Sequence, residues 1–402
     1  MKLPTFVVAA LATSVFAADL EPFVNEPDTG LEDYLRTTGW VPGQQPLLKD
    51  MRAVLDFDFA ARQTLGPQQY AFYRVAAAGE WSYRNNLNVW SKARFRTRHL
   101  TDVSQVNKTM ETTFLGYKFS APFFIAPAAR AILGHERGEL NFVDASAAEN
   151  ILHIPSIFAS KSIEEIGAQK ALYNGTLNGP LVGFQQIYGN RNLSVIWSNI
   201  ARAEAQNMKA IVFTVDAPGD STRHRAARYD TTNANSGGNA LTWDLFDQIV
   251  ARTKLPVIIK GITTVEDAQL AVEKGAKGIY ISNHGGRQLE YSPSPLETAY
   301  EIYRNAPEVF QQVEVMADSG VRYGSDVIKL LALGVKMVGL GRPFMYANTY
   351  GVDGVRRLMQ IMKAEIVGDA AQAGVPDLQN VSSKILNFKE LESSVFLTTN
   401  GY

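Results

Sequence analysis

Eight short apolar runs, separated by stretches with helical periodicity, constrain the fold of this chain more than any other feature of its 402 residues. Parallel strands that are buried on both faces show such near-continuous apolar runs, and each needs a crossover helix to reach the next strand. The runs start at Phe123, Leu152, Val182, Ala210, Val257, Gly278, Val313 and Met337. The pattern therefore predicts an α/β fold, a single-domain (β/α)8 TIM barrel.

A doubly wound open sheet is the alternative, because it also alternates strands with helices. That fold usually carries Gly-x-Gly-x-x-Gly after its first strand, and no such motif follows the run at Phe123. Helix starts are predicted at four places where a capping residue precedes a helical stretch. They are Ser162 with Glu165, Thr264 with Asp267, Ser294 before Pro295, and Ser325 with Asp326.

The segments outside the barrel pattern predict three further parts. Residues 1–17 have one lysine, a short apolar run from Phe6 and small residues at the end, which is typical of a secretory signal peptide. An amphipathic first helix is the alternative. Residues 18–55 are rich in Pro, Gly and polar side chains and predict an extended N-terminal arm, and residues 376–402 form a C-terminal tail. We therefore expect a secreted protein whose barrel, with an N-terminal helical extension, occupies residues 56–375.

Composition narrows the possible partners. The formal net charge is −1, so the chain lacks the basic excess that nucleic acids and anionic membranes attract. There is no cysteine, which excludes disulfides, a thiolate nucleophile and cysteine metal sites. No His-x-x-x-His motif or acidic cluster predicts a metal either. A small molecule is the expected partner.

The sixth apolar run is followed directly by the heptad Ser-Asn-His-Gly-Gly-Arg-Gln, residues 282–288. His284 can take a proton near neutral pH, and Arg287 offers a rigid fork to a carboxylate. Gly285 and Gly286 are expected to leave room for a flat ligand. A surface loop with a solvated histidine is the alternative for this heptad taken alone.

Unusual polar residues follow other predicted strands too, at the end of the barrel where active sites are built. They are Ser156, Gln186, Tyr188, Thr214, Asp216, Lys260 and Asp318. A lysine at the end of an apolar strand needs a partner, so Lys260 marks a site. The first strand ends in Ala126-Pro127-Ala128-Ala129, where small residues allow a flat ring to approach the backbone. Taken singly, each polar residue is more often a buried group with its own hydrogen bond.

The last two predicted strands end in glycine and arginine motifs. Asp-Ser-Gly-Val-Arg, residues 318–322, follows the seventh strand, and Gly-Arg-Pro, residues 341–343, follows the eighth. Barrels commonly bind a phosphate between these two strand ends, with backbone N–H groups and arginine as donors. These motifs therefore predict a phosphate site.

In this order, the motifs resemble those of the FMN-dependent 2-hydroxy acid oxidases and dehydrogenases, the family of glycolate oxidase, lactate oxidase and the flavocytochrome lactate dehydrogenases. The resemblance runs from about Asp56 to about Gly374. It implies an enzyme that binds FMN and oxidises a 2-hydroxy acid to the 2-oxo acid, with oxygen or another electron acceptor. Relatives are often tetramers, so a homotetramer is expected. The alternatives are another FMN barrel enzyme, such as an isomerase, and a secreted flavin-binding protein without turnover.

The resemblance also implies a role for each site residue. His284 is the base, and the carboxylate of Asp216 pairs with it. The residues that face the substrate are Arg287, Tyr188, Tyr73 and Arg223. The residues that bind the cofactor are Ala126, Pro127, Ala128, Ala129, Ser156, Gln186, Thr214, Lys260, Ser282, Asp318, Gly320, Arg322, Gly341 and Arg342.

Two departures from the family affect the substrate pocket. Counted back from Trp81 without a gap, the family's substrate tyrosine falls on Phe72, and only a one-residue deletion places Tyr73 there. The polar loop at residues 229–239, expected to be mobile, is shorter than in relatives and covers the site less. We therefore expect poor turnover of glycolate and better turnover of bulkier alkyl or aryl 2-hydroxy acids.

Overall fold

The computed structural model describes residues 29–174, 180–229 and 241–397. The predicted signal peptide and nearly all of the predicted mobile loop lie outside these ranges, so both stay predictions. Within the described ranges, no helix is long and apolar enough to cross a bilayer. The same ranges hold no group of three or more histidine, cysteine or acidic side chains placed to bind a metal ion.

Eight parallel strands form the barrel that the apolar runs predict. They are β1 (Phe123–Ile125), β2 (Leu152–His153), β3 (Gln185–Tyr188), β4 (Ile211–Thr214), β5 (Val257–Ile262), β6 (Gly278–Ile281), β7 (Glu314–Ala317) and β8 (Met337–Leu340). Each strand from β3 to β7 pairs with the strand that follows it in the chain. β8 pairs with β1, and β1 pairs with β2. A parallel bridge between His153 and Gly183 joins β2 to the chain before β3 and closes the ring.

The third strand begins later than the apolar run predicts. The run starts at Val182, but the regular ladder with β4 begins only at Gln185, opposite Ile211. The residues just before it make the single bridge at Gly183, which spans the gap between β2 and β3. The strand therefore lies further along the chain than predicted and contains the polar residues Gln185, Gln186 and Tyr188.

Apolar side chains fill the inside of the ring. Phe124, Val212 and Met316 belong to one buried cluster there. A hairpin of the strands Thr112–Phe114 and Tyr117–Phe119 packs its phenylalanines into the same cluster. Because this hairpin precedes β1, it covers the N-terminal end of the barrel and leaves the C-terminal end for the site.

Helices cover the outside of the ring. They are Leu140–Glu149, Ile163–Ala171, Leu193–Ala205, His224–Arg228, Trp243–Arg252, Val265–Glu273, Pro295–Asn305, Val309–Gln312, Gly324–Leu331, Arg342–Ala347 and Gly351–Ala373. Three predicted caps are confirmed, because the hydroxyls of Ser162, Thr264 and Ser294 accept backbone N–H groups of the first turn. The start predicted at Ser325 is wrong. That helix begins at Gly324, because the Asp326 carboxylate accepts the backbone N–H groups ahead of it.

The segment before the barrel contains the predicted N-terminal helical extension, and one further helix lies in the predicted arm. Its helices are Leu31–Thr37, Val54–Thr64, Pro67–Arg74 and Trp81–Asn88. Leu31 and Leu35 are buried, so the described part of the arm packs on the barrel. At the other end of the chain, the strand Leu386–Asn387 pairs antiparallel with Arg94–Phe95. The segment predicted as a tail therefore also packs on the domain.

Candidate active site

A cleft lies at the C-terminal ends of the strands, where the sequence places its polar residues. It holds about 950 Å³ of atom-free space, counted with its open mouth. Every strand, or the loop after it, contributes to the lining. In strand order these residues include Ala126, Ser156, Tyr188, Arg223, Lys260, His284, Asp318 and Gly341. The barrel thus brings together site residues that lie far apart in the sequence.

Asp216, Lys260 and His284 form one group, the His-Asp-Lys cluster. Nδ1 of His284 lies 2.7 Å from Oδ1 of Asp216, and Nζ of Lys260 lies 3.4 Å from Oδ2 of the same carboxylate. Because a carboxylate only accepts, Nδ1 carries the histidine proton and Nε2 presents a lone pair. The Tyr188 hydroxyl lies 3.2 Å from Nε2. This arrangement supplies an oriented base.

Burial sets the protonation states of this cluster. It is the largest influence on His284 and lowers its pKa, and the Asp216 carboxylate opposes that shift without cancelling it. Burial by itself raises the pKa of Asp216, but its interactions with His284 and Lys260 outweigh burial, so the pKa lies below its ordinary value. At neutral pH the histidine is therefore neutral and the aspartate charged, as a general base and its orienting carboxylate require.

The loop that carries His284 has an unusual backbone. His284, Gly285 and Gly286 have φ of 60°, 67° and 71°, in the left-handed region. A Cβ at Gly286 would lie 2.6 Å from the backbone N of Tyr83, and one at Gly285 would lie 2.7 Å from Nη1 of Arg342. Gly286 therefore leaves room for the helix Trp81–Asn88, and Gly285 leaves room for an arginine. Because Gly285 also lines the cleft, the expectation that these glycines leave room for a flat ligand stays a prediction.

Arg223, Arg287 and Arg342 form a second group, the arginine cluster. Nη1 of Arg287 donates to the carbonyls of Tyr73 at 3.1 Å and Val75 at 2.8 Å. Nε and Nη2 of Arg342 donate to the same two carbonyls, at 2.9 and 3.0 Å, and Nε of Arg223 donates to the carbonyl of Arg287 at 2.8 Å. Within the described ranges, none of the three forms an ion pair with a carboxylate. Neutral carbonyls at the end of the helix Pro67–Arg74 therefore hold most of this charge.

The pKa values in the arginine cluster reflect mainly its burial. Burial lowers the pKa of Arg223 to about 10. Burial, followed by the charges of Arg223 and Arg342, lowers the pKa of Arg287, and burial likewise lowers that of Arg342. Guanidinium groups stay protonated in proteins, so the shifts express mainly the cost of burying these positive charges. An anionic ligand would relieve it.

Tyr280 is a site residue that the sequence analysis missed. It is buried inside the barrel on β6, and its hydroxyl donates to Oδ2 of Asp318 at 2.7 Å. The hydroxyl of Ser319 donates to the other oxygen of that carboxylate, also at 2.7 Å. Nζ of Lys260 lies 5.2 Å from the centre of the Tyr280 ring. The signal in the sequence was a hydroxyl-bearing ring in an otherwise aliphatic run directly before the heptad.

Most predicted cofactor residues line the cleft, but three do not. Those in the lining are Ala126, Pro127, Ala128, Ala129, Ser156, Lys260, Asp318, Gly320, Arg322, Gly341 and Arg342. Nε2 of Gln186 donates to Oγ1 of Thr214 at 2.8 Å, and Oγ of Ser282 accepts from Lys260 at 3.1 Å. These three side chains thus support the lining from behind. Their contact with a cofactor stays a prediction.

Phe72 and Tyr73 both line the cleft, so both candidates for the substrate-side aromatic residue are at the site. The Tyr73 hydroxyl donates to the backbone carbonyl of Arg130 at 2.8 Å. Burial is the largest influence on Tyr73 and raises its pKa, so the hydroxyl stays protonated. Tyr73 therefore ties the helix Pro67–Arg74 to the loop after β1, and its contact with substrate stays a prediction.

Comparison with known proteins gives consistent matches. The FMN-dependent dehydrogenase family model matches residues 61–237 and 231–388. An L-lactate dehydrogenase (cytochrome) of Wickerhamomyces anomalus is 33% identical over 89% of this chain, which spans 65% of that protein. A peroxisomal (S)-2-hydroxyacid oxidase of Arabidopsis thaliana is 34% identical over 81% of this chain and 94% of that protein.

Solved structures agree with the sequence matches. A double mutant of flavocytochrome b2 with pyruvate bound superposes with a TM-score of 0.81 at 30% identity, covering 94% of this chain and 97% of that one. Mandelate oxidase with 3,3-difluoro-2-hydroxy-3-phenylpropionic acid gives a TM-score of 0.75 at 33% identity, covering 84% of this chain and 98% of that one. The barrel predicted from the apolar runs is the fold that these structures share with this chain.

Proposed function

The chain belongs to the FMN-dependent dehydrogenase family, whose members use FMN to oxidise 2-hydroxy acids to 2-oxo acids, and we propose that His284 is the base of that reaction. As a member, it is an FMN-dependent oxidoreductase that acts on CH–OH donors. The observation that carries the proposal is the 2.7 Å contact between His284 Nδ1 and Asp216. This contact turns the Nε2 lone pair toward the cleft, where it takes a proton from the substrate. Asp216 then stabilises the imidazolium.

Arg287 is the group that we assign to the substrate carboxylate. In the described chain its bonds to protein all come from Nη1. Nε and Nη2 are thus left to bind a carboxylate through the fork of the guanidinium. Tyr188, whose hydroxyl contacts His284, and Arg223 border the same space. Together they would hold the hydroxy carbon beside the base.

The donors of the cleft fit FMN. A phosphate needs cations, and Arg322 and Arg342 line the end of the cleft near β7 and β8. Ribityl hydroxyls need an acceptor, which Asp318 supplies, and a flat ring can lie against the small side chains at residues 126–129. When bound, FMN accepts the two electrons that leave the substrate carbon. Lys260 would then place its positive charge beside the ring.

Anaerobic mixing of the purified holoprotein with a panel of 2-hydroxy acids tests the function. We expect the flavin absorbance to bleach with at least one acid, and the released product to be the 2-oxo acid. Admission of air then shows whether oxygen restores the colour, which separates an oxidase from a dehydrogenase that needs another acceptor. A holoprotein that no 2-hydroxy acid reduces would overturn the proposal.

We propose that the substrate is bulkier than glycolate. Two aromatic side chains, Phe72 and Phe158, line the cleft and offer an apolar wall to a substrate side chain. Phe158 also packs on Tyr188, with ring centres 5.2 Å apart, which fixes the wall beside the proposed substrate position. The comparison of glycolate with longer alkyl and aryl acids in the same panel decides this. Glycolate as the best substrate would contradict it.

We also propose secretion, with Ala18 as the mature N-terminus. The support is the sequence of residues 1–17, with its single lysine, short apolar run and small residues at the end. N-terminal sequencing of protein from culture medium is the test. An intracellular protein that retains Met1 would contradict it.

A homotetramer is proposed from the resemblance to the family, with no other support. Light scattering of the purified holoprotein measures the subunit number directly.

A further inference from the structure

Arg130 is a charged residue next to the cleft, outside its lining, and the proposed reaction gives it no role. It follows Ala129, which lines the cleft, and its guanidinium carbon lies 5.3 Å from the centre of the Phe72 ring, which also lines the cleft. Its backbone carbonyl accepts the hydroxyl of Tyr73, a third lining residue. These contacts hold the Arg130 side chain at the rim, on the side of the apolar wall.

The Arg130 side chain is exposed, and its backbone has φ of 60°, the left-handed conformation. Within the described residues it has no ion pair with any carboxylate. An arginine that rests on an aromatic ring keeps its N–H groups at the edge of the guanidinium plane for another partner. The Phe72 ring therefore positions the Arg130 guanidinium, but no carboxylate of the described residues neutralises its charge.

The charge balance of the cleft points to an anion as that partner. The lining contains five cations, Arg223, Lys260, Arg287, Arg322 and Arg342. Asp318 is a carboxylate in the same lining, and Asp216 lies behind His284. The lining therefore carries more cations than carboxylates. A bound phosphate monoester supplies about two negative charges and one substrate carboxylate supplies one more. Arg130 lies outside this balance and adds one more positive charge.

We infer that Arg130 binds a second anionic group of the substrate, so that the preferred 2-hydroxy acid carries a distal carboxylate. This inference rests on the proposed function and specifies its substrate class. The apolar wall of Phe72 and Phe158 contacts the methylene carbons between the two ends of such a diacid, while Arg287 holds the carboxylate next to the reacting carbon. Arg130 acts as a specificity residue and takes no part in proton transfer.

The test compares diacids with monoacids of the same chain length. The pairs are 2-hydroxybutanedioate with 2-hydroxybutanoate, 2-hydroxyglutarate with 2-hydroxypentanoate, and 2-hydroxyadipate with 2-hydroxyhexanoate. In the wild-type holoprotein, we expect kcat/KM for anaerobic flavin reduction to be about tenfold higher for the diacid of at least one pair, the size of one charge-assisted hydrogen bond. Arg130→Gln should remove this preference, and Arg130→Lys should retain part of it.

Arg252→Gln is the matched control. Arg252 also lies over an aromatic ring, 4.2 Å from the centre of Trp197, but on an outer helix away from the cleft. This variant should keep the diacid preference of the wild type. The inference would be overturned if Arg130→Gln kept the diacid preference of the wild type. It would also be overturned if the wild type preferred the monoacid in every pair. Loss of FMN from Arg130→Gln would overturn it too, because Arg130 would then serve the cofactor.

Binding of the matching 2-oxo acids, measured by the perturbation of the flavin spectrum, separates this inference from the proposed function. If no hydroxy acid reduces the flavin but the 2-oxo diacid binds better than the monoacid in an Arg130-dependent way, the proposed function fails and the anion site stands. If the monoacids reduce the flavin and Arg130→Gln changes neither binding nor kcat/KM, the function stands and the anion site fails.

Discussion

The two charged groups of the cleft are built in opposite ways. In the His-Asp-Lys cluster, the Asp216 carboxylate lies within hydrogen-bond distance of both His284 and Lys260. In the arginine cluster, Arg287 and Arg342 share the neutral carbonyls of Tyr73 and Val75. A buried charge is costly unless a partner compensates it. The first group is therefore complete within the protein, and the second is completed by an anionic ligand.

This difference assigns a task to each group. A complete group keeps its geometry and protonation state before a substrate arrives, which suits proton transfer. A group with excess positive charge gains free energy when a carboxylate or phosphate enters, which suits binding. Substitutions in the first group should therefore lower the rate of flavin reduction, and substitutions in the second should weaken binding.

The largest effect is expected for His284→Ala. The holoprotein should keep its FMN but lose flavin reduction by at least about 100-fold, because general-base catalysis contributes about that much or more. Stopped-flow measurement with a saturating 2-hydroxy acid gives the rate. His99→Ala, which removes an exposed histidine elsewhere, is the control and should react like the wild type. Near-normal reduction in the His284 variant would place the base on another residue.

Arg287→Gln should act mainly on binding. The loss of a charge-assisted bond of about 1.5–3 kcal/mol to the substrate carboxylate should lower kcat/KM by roughly 10- to 150-fold, chiefly through a higher KM. Arg287→Lys keeps the charge without the planar fork, so its kcat/KM should lie between those of the wild type and of Arg287→Gln. Steady-state kinetics with one acid across the three proteins checks this. A lower kcat with unchanged KM would assign Arg287 to the first group instead.

Arg342→Ala should weaken FMN retention by roughly tenfold or more, because one charge-assisted partner of the phosphate is removed. Fluorescence titration of the apoprotein with FMN gives the dissociation constant. Because Arg342 also joins Gly285 to the helix Pro67–Arg74, thermal unfolding of the apoprotein should be measured alongside. A variant that folds normally and retains FMN like the wild type would remove Arg342 from the phosphate site.

Tyr280→Phe should have a smaller effect on the same dissociation constant, a rise of about fivefold, because the lost hydrogen bond acts on the cofactor only through Asp318. The reason is that Asp318 loses one of its two hydroxyl donors and is less firmly held for the cofactor. Tyr300→Phe is the matched control, since it removes a tyrosine bond of the same length, 2.7 Å, to Glu392 away from the cleft. Equal FMN affinity in the Tyr280 variant and the wild type would show that Asp318 needs no support from Tyr280.

The smallest effect is expected in the dependence of kcat/KM on pH. The value should be full at neutral pH, and its decrease on the acid side should be displaced to lower pH. Protonated His284 cannot take a proton, so kcat/KM falls as the pH drops through its pKa. Because burial lowers that pKa, the fall should lie below pH 6.5, the ordinary value for histidine. In Asp216→Asn, which removes the influence that raises the pKa, the limb should move lower still. A limb above pH 6.5 in the wild type would contradict the buried setting of His284.

Much of this protein follows from local patterns in its sequence. Near-continuous apolar runs with helices between them predict parallel strands, so the barrel and seven of its strands were predictable close to their observed positions. The resemblance implied the pairing of His284 with Asp216, and Lys260, which was expected to need a partner, contacts the same carboxylate. Strand order alone brings such residues together at one face.

Tertiary structure decided how the chain before the barrel meets the site. The helix Pro67–Arg74 places the carbonyls of Tyr73 and Val75 against Arg287 and Arg342, and Gly286 makes the space for the approach of the helix Trp81–Asn88. Neither contact has a periodic signal, because it joins segments more than 200 residues apart. The Tyr280 bond to Asp318 is similar. Strand alternation predicts that a side chain points inward, but which carboxylate it meets depends on the packing of the whole barrel.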